Sequence, residues 1–263
     1  MMTRLGNPMV FAKLKRMQVI LLLVFVALTG SPRYLSAQSN VSYEFWPETD
    51  IWYRLNPSWR LSAFLPITKY HESKNRDMNV YLQADYAWGK TKILHYGRLF
   101  NEARAELMKA WLARGGYMHG WSLGEESGSY YEDMLFAEIH RRMPVGKKTL
   151  ISHRIRPELR WLGQDPTLSF RFRYRAMVEK EFNSGKFSVI PYINAEPYWD
   201  SRYAAFNRIR LIGGTTMSWG PRLALEGNIT YQHDTHYDTS NLYALNIIVH
   251  LFFETRRSQS NNR

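Results

Sequence analysis

The stretch Leu168 to Glu181 alternates between two kinds of side chain. Ser169, Arg171, Arg173, Arg175, Met177, Glu179 and Glu181 take the odd positions. Leu168, Phe170, Phe172, Tyr174, Ala176 and Val178 take the even ones, with Lys180 at the end. Residues i and i+2 share a face of a β-strand, whereas a helix would scatter these arginines around its axis. The segment is therefore expected to be a strand with one charged face and one aromatic and aliphatic face.

The pattern recurs. Ile151 to Trp161 sets Ser152, Arg154, Arg156, Glu158 and Arg160 against Ile151, Ile155, Leu159 and Trp161. Val189 to Asp200 separates Asn194, Glu196 and Asp200 from Val189, Ile193, Ala195 and Trp199. Arg208 and Arg210 oppose Ile209 and Leu211, Glu226 opposes Leu225 and Ile229, and the alternate positions from Tyr243 to Phe253 are wholly apolar. Turn signals such as Asn56-Pro57-Ser58, Pro144-Val145-Gly146, Asn183-Ser184-Gly185 and Gly220-Pro221 separate the runs. Eleven strands are expected near 44–55, 59–70, 78–89, 108–121, 132–143, 148–162, 168–182, 187–200, 204–219, 221–234 and 242–254.

Many of these runs are twice the ~5–6 residues usual in soluble proteins but suit a tilted membrane strand. Single-chain bacterial barrels normally have an even strand count. Ile93 to Phe100 is the candidate twelfth strand, with a short helix over Asn101 to Met108 as the competing assignment. The expected fold is an all-β, antiparallel transmembrane β-barrel of about twelve strands, within a range of ten to fourteen, with a polar charged interior. An even count would leave both termini on the periplasmic side. A soluble periplasmic sandwich or lipocalin-like barrel has the same alternation with its faces exchanged. Strand length favours the membrane fold. So does the position of Trp59, Trp88, Trp161, Trp199 and Trp219, which share parity with the apolar face and lie near strand ends.

Charge is the other constraint. Thirty-five Lys+Arg against 23 Asp+Glu give a net +12. Residues 1–37 supply Arg4, Lys13, Lys15, Arg16 and Arg33 with no acid, an apolar run from Val19 to Thr29, and the small-residue stretch Leu35-Ser36-Ala37. This pattern reads as a cleaved signal peptide, leaving a barrel over 38–254 and a polar tail over 255–263. Without the leader the net charge is +7 over 226 residues. An exported chain is not expected to meet nucleic acid, and no zinc-finger, P-loop or dinucleotide fingerprint is present. The absence of cysteine excludes a disulfide framework and thiolate metal sites. An aromatic content of 15% argues against disorder.

In the barrel reading, Arg154, Arg156, Arg160, Arg171, Arg173, Arg175, Arg208 and Arg210 point into the lumen with Glu158, Glu179, Glu181, Glu196, Asp200 and Glu226. Residues opposed on one face of adjacent strands lie ~4.5–5.5 Å apart, so a ladder of arginine–carboxylate pairs is expected. Two functions follow. Inward arginines would favour a small anionic solute in a narrow channel. Alternatively, the same arginines are fully paired and fill the barrel. An outer-membrane lipid-modifying enzyme needs a nucleophile beside a base. Ser152-His153 is the nearest candidate by sequence, but adjacent strand residues face opposite ways. His140, on a face with Glu138 and Arg142, reads as part of a charge ladder. No enzymatic activity and no cofactor are expected. His233, Asp234, His236 and Asp238 are the densest group of potential metal ligands but match no established spacing. The segment Ser122 to Glu132, with Tyr130-Tyr131, suits an exposed recognition loop. The expected partners are outer-membrane lipid and the barrel assembly machinery of a Gram-negative bacterium.

Glu44-Phe45-Trp46-Pro47-Glu48-Thr49-Asp50 resembles the opening of a bacterial outer-membrane family known as domain of unknown function 2490. So do Pro191-Tyr192 to Glu196, Tyr198, Asp200-Ser201-Arg202-Tyr203 and Asn207-Arg208-Ile209-Arg210. Ser152-His153-Arg154 and Phe172-Arg173-Tyr174-Arg175 are similar to its middle region. The resemblance implies an outer-membrane β-barrel and brings no activity or catalytic residues. One departure is the end, since such barrels usually finish on an aromatic residue and here Phe253 is followed by ten more.

Overall fold

Strict alternation leaves each segment one polar and one apolar face, so the strands gain most by closing into a ring with no free edge. The computed structural model describes residues 41–70, 76–90, 109–123, 130–146, 148–163, 167–184, 187–219, 222–236 and 240–254. The expected leader, the candidate strand at 93–100 and the tail at 255–263 lie outside them.

In chain order the strands are β1 (Val41–Arg54), β2 (Trp59–Tyr70), β3 (Arg76–Lys90), β4 (Lys109–Leu123), β5 (Tyr131–Val145) and β6 (Thr149–Leu162). β7 (Thr167–Lys180), β8 (Phe182–Ser184), β9 (Phe187–Asp200), β10 (Ala205–Trp219), β11 (Leu223–Asp234) and β12 (Asn241–Glu254) complete the wall. The three-residue β8 continues β7 beyond Glu181 and pairs with the same neighbour, β9. The wall is therefore a closed ring of eleven staves, each antiparallel to the next except at one seam. The count falls within the expected range and one short of the preferred twelve. β3 pairs directly with β4 from Arg76↔Leu123 to Lys90↔Lys109, leaving no place between them for another stave.

An odd ring of up-and-down strands must bring its first and last strands together in the same direction. β1 and β12 are accordingly parallel, from Val41↔Asn241 to Arg54↔Glu254. Val41 and Glu254 thus stand at opposite rims. This corrects the expectation that both ends of the barrel emerge on one side, which depended on an even count. The β11–β12 connection lies at the Val41 rim, and the β1–β2, β5–β6 and β10–β11 connections lie at the Glu254 rim.

The stagger of the ring sets its slope. From Ile51, strand pairing runs one way through Ala63, Leu82 and Tyr117 to Phe170, whose carbonyl accepts from the Ser201 amide. The other way it runs through Leu251, Leu223 and Trp219 to Phe187, fourteen residues before Ser201. A stagger of about fourteen residues over eleven staves tilts the strands by about 45°, at the upper end of the usual barrel range.

Side chains of staves that are not neighbours can meet only through the lumen. Arg154 of β6 bonds Glu196 of β9, Arg156 of β6 lies 5.9 Å from the Tyr81 ring of β3, and Arg210 of β10 lies 5.1 Å from the Trp46 ring of β1. The charged face is therefore the inside. Space there is tight: a Cβ on Gly116 would come within 2.8 Å of the Leu82 carbonyl and 2.5 Å of Phe136. At the β9–β10 turn, Ala204 adopts φ 50°, the Arg202 amide and Nε donate to Asp200, and a bulge follows between Phe206 and Arg208.

The outer face is apolar, with Ile193 67% and Leu245 50% exposed. Its aromatic residues form two belts. Near the Glu254 rim, Trp59, Tyr86, Trp88 and Trp111 follow one another at ring separations of 4.9, 5.7 and 6.2 Å. Near the Val41 rim, Tyr231, Tyr243 and Tyr43 are spaced 5.2 and 5.9 Å apart. Tyr43 and Tyr53, Trp111 and Trp121, and Tyr243 and Phe253 each join the two levels ten residues apart on one strand. Ten residues span ~33 Å along a strand and roughly 24 Å along the barrel axis at this tilt.

Candidate functional site

The inward face of β2 to β9 carries one continuous network of ion pairs. Arg60 donates to Asp85 through Nε at 2.9 Å. Arg114 bridges Asp85 at 2.7 Å and Glu138 at 3.1 Å. Glu138 is the hub: Arg154 and Arg156 approach it at 3.3 and 2.8 Å, and His140 Nε2 lies 2.7 Å from it. The chain continues through Arg156 to Glu158 at 2.6 Å, then from Glu158 to Arg171 and to Arg173 at 3.0 Å. Arg173 in turn reaches Glu196 at 2.8 Å, and Arg154 also bonds Glu196. Nearer the Val41 rim, Arg160 joins Glu132 of β5 with Asp200 of β9, and Arg208 pairs with Asp234 at 2.6 Å. Buried guanidinium and carboxylate groups are costly without such partners, and a carboxylate can accept from several donors at once.

A second group surrounds Tyr198, whose hydroxyl donates to Glu196 at 2.8 Å. Arg171, Arg173, Arg208 and Arg210 stand 4.6–5.7 Å from its ring. Arg210 donates to the Gln232 carbonyl at 2.6 Å. Its guanidinium is thus held by an amide and two aromatic rings, Tyr198 and Trp46. A third group spans the parallel seam. His250 Nδ1 lies 3.0 Å from Asp50 and Nε2 lies 3.3 Å from Glu226. Glu226 also accepts from Tyr192, from Thr216 at 3.1 Å and from Asn228 at 3.2 Å.

The fourteen charged residues expected on the inner face fall into this arrangement as follows. Arg154, Arg156, Arg160, Glu158, Glu179, Glu181, Glu196, Asp200 and Glu226 are buried. Arg171, Arg173, Arg175, Arg208 and Arg210 are half-buried. Ser188 donates to Glu181 at 3.1 Å. The pairs are not only rungs between adjacent strands; Arg154–Glu196 and Arg160–Asp200 skip a stave.

The inner face holds further charged groups. Arg60, Arg114 and Arg142, with Glu44, Glu48, Asp50, Asp77, Asp85, Glu132, Glu138 and Asp234, share the inward parity of their strands. The signal was present in the same period-two pattern on β1 to β5 and β11, where charges are diluted by aromatics and small residues. With these and the rim pair Arg54 and Glu254 included, residues of inward parity comprise fifteen carboxylates and twelve arginines among the described residues. The positive lining read from β6, β7 and β10 alone is therefore balanced by acids on the opposite wall.

The remaining candidates separate. Ser152 is buried in the lumen, while His153 lies on the outer face with Nδ1 2.5 Å from Tyr174 Oη. His140 and Glu138 form the hydrogen-bonded charge ladder just described. Asp234 points inward to Arg208 and Asn207, His233 bonds Asn241 outside, and His236 stacks on Tyr203 at 4.2 Å. Asp238 lies outside the described residues. Among those described, no group of three or more His, Asp or Glu is placed to hold a metal ion. Of the Ser122–Glu132 segment, Ser122 donates to Asp77 at 2.8 Å and Tyr130 to Asn79 at 2.7 Å, both inward; residues 124–129 are outside the described set.

No curated protein matches this chain. The model of a family described as a protein of unknown function, DUF2490, matches residues 45–242, from the fifth residue of β1 to the beginning of β12. That span takes in ten whole strands, the ion-pair hub at Glu138, and the Asp200-Ser201-Arg202-Tyr203 turn with the arginines that follow it. The chain belongs to the DUF2490 family of proteins of unknown function.

Proposed function

We propose that this chain is an outer-membrane β-barrel, exported by its leader and inserted by the barrel assembly machinery, whose lumen is closed by its own ion pairs. The observation that carries closure is the Glu138 hub. Three arginines from β4 and β6 converge on one carboxylate whose side chain has no solvent exposure, with Asp85 beside it equally enclosed. Membrane insertion is supported by the two aromatic belts, whose roughly 24 Å separation fits an apolar band of ~25 Å. Strands of 12–15 residues and the exposed aliphatic residues between the belts agree with it. In this reading the barrel catalyses no reaction and serves as a lipid-embedded body.

Recording from purified protein in planar bilayers tests closure. The expected result is insertion without steady conductance steps; stable channels in the unmodified protein would overturn it. A narrow anion path is the second reading, favoured by the half-buried arginines gathered at Tyr198. It requires steady currents with anion preference that Arg171→Gln and Arg208→Gln reduce.

A further inference from the structure

The outer face carries its polar residues unevenly. Near the Glu254 rim, Lys109 of β4, Arg141 of β5 and Lys180 of β7 stand on the outer face, and Lys148 is exposed in the β5–β6 turn between them, where its carbonyl accepts from the Glu181 amide. They cover about 15–20 Å of wall, given strand spacing near 4.8 Å and the tilt. Aromatic rings lie among them. The Arg141 guanidinium is 4.7 Å from the Trp111 ring, at the level of the belt, and Lys180 Nζ is 5.4 Å from Phe182. Lys148 and Lys180 are exposed.

Among the described residues, no carboxylate lies on the outer face of β4 to β7 at this rim. The outward Asp133 is near the other rim, where it accepts from Tyr117, His119 and Tyr131. Glu254 stands on β12 beside Arg54 at 3.7 Å. Among the described residues, these cations therefore meet no carboxylate on the outer face, Lys109 donating only to the Ser58 hydroxyl at 3.4 Å, in a place where an arginine has been brought within the apolar wall. An arginine on a lipid-facing strand costs ~2–4 kcal/mol at the midplane and little at the interface, so Arg141 gains by extending along Trp111 toward the headgroups.

We infer that this arc binds phosphate-bearing lipid headgroups in the leaflet that meets the Glu254 rim. The inference rests on the membrane reading above. The occupant follows from the chemistry. The cations lie on a convex wall rather than in a pocket, so they suit ligands held at the correct depth by the bilayer. Their level coincides with the aromatic belt, where acyl chains give way to headgroups. A guanidinium flanked by ammonium groups on one side of the wall matches a dense anionic headgroup layer, and each cation near such a surface adds favourable attraction.

The test uses the full mature chain in vesicles containing brominated lipid, with tryptophan quenching as the readout. Brominated phosphatidylglycerol, at equal mole fraction with unlabelled phosphatidylcholine, is expected to quench more than brominated phosphatidylcholine does in the converse mixture. The expected preference is two- to fivefold in relative association. The variant carrying Lys109→Gln, Arg141→Gln, Lys148→Gln and Lys180→Gln should lose that preference while brominated phosphatidylcholine still quenches it, showing that it has folded and inserted. Equal quenching of the unmodified protein by both lipids, or a preference retained by the variant, overturns the inference alone. No quenching by either lipid would remove the membrane reading and the inference together.

Discussion

Asp50 and His250 stand two hundred positions apart in the chain and directly opposite one another across the parallel β1–β12 seam, with carboxylate and imidazole Nδ1 3.0 Å apart. The other ring nitrogen faces Glu226 of β11, so one side chain ties three staves together at the point where the ring closes. Closure here joins the two ends of the barrel sequence and costs the most chain entropy of any pairing in the wall. His250→Ala should therefore leave Asp50 and Glu226 without their shared partner. The expected loss is about 3–5 kcal/mol, measured by urea unfolding in detergent or lipid. A loss below about 1 kcal/mol, the range of exposed ion pairs, would show that the seam holds without this cluster.

Glu138, like Glu158, gathers three guanidinium groups, accepting from Arg114, Arg154 and Arg156. Glu138→Ala should destabilise the barrel by roughly 3–5 kcal/mol, because it strands buried guanidinium groups. Loss of the hub should also admit brief current steps in planar bilayers. Unchanged stability together with silent bilayers would show that the hub is not what closes the lumen.

Ile193 lies between the two aromatic belts and is 67% exposed. In lipid, Ile193→Arg should cost about 2–4 kcal/mol and lower the yield of inserted protein. In a water-soluble barrel the same exposed substitution stays within about 0.5 kcal/mol. Vesicle-insertion yield, read alongside unfolding, separates these outcomes and so separates the membrane barrel from its soluble alternative.

Gly116 faces inward, where a Cβ would meet the Leu82 carbonyl at 2.8 Å as well as Phe136. The backbone oxygen cannot swing away as a side chain can. Gly116→Ala should cost about 1–3 kcal/mol through overpacking. At Gly213, on the outer face of β10, a Cβ meets nothing within 4 Å, so Gly213→Ala should be neutral or stabilising on the same assay.

Ala204 is the one described non-glycine residue with positive φ, at 50° in the β9–β10 turn. The left-handed conformation costs an L-residue ~1–2 kcal/mol, and glycine avoids this at an entropic cost of ~0.5–1 kcal/mol. Ala204→Gly should thus stabilise by a few tenths to about 1 kcal/mol. A clear drop in the unfolding midpoint would mean that the Ala204 methyl is needed in the turn.

The strands were readable because their period is local. Ser169 to Glu181 and Leu168 to Val178 separate without knowledge of any partner, and each of the eleven expected runs coincides with a stave to within a few residues. The inward parity of Arg154, Glu158, Glu196 and Asp200 was readable for the same reason. The charge balance was less so. Asp85, Glu138 and Arg60 share that parity, but their strands mix charges with Tyr81, Phe136 and Phe64, and the arginine-rich half of the wall dominated the pattern.

What the sequence by itself determined is the strand set and the chemistry of each strand's two faces, since side-chain direction in a strand depends only on neighbours in the chain. It could not determine the number of staves in the ring, because that rests on whether β3 pairs with β4 or with a segment between them. Nor could it place Val41 and Glu254 at opposite rims, which follows from that count. The tertiary structure decided closure, stagger and partner choice. Arg154 meets Glu196, and Asp50 meets His250, only once the wall has curved through a full turn and brought residues distant in the chain across one narrow lumen. Those contacts depend on register around the whole ring, a quantity no single strand carries.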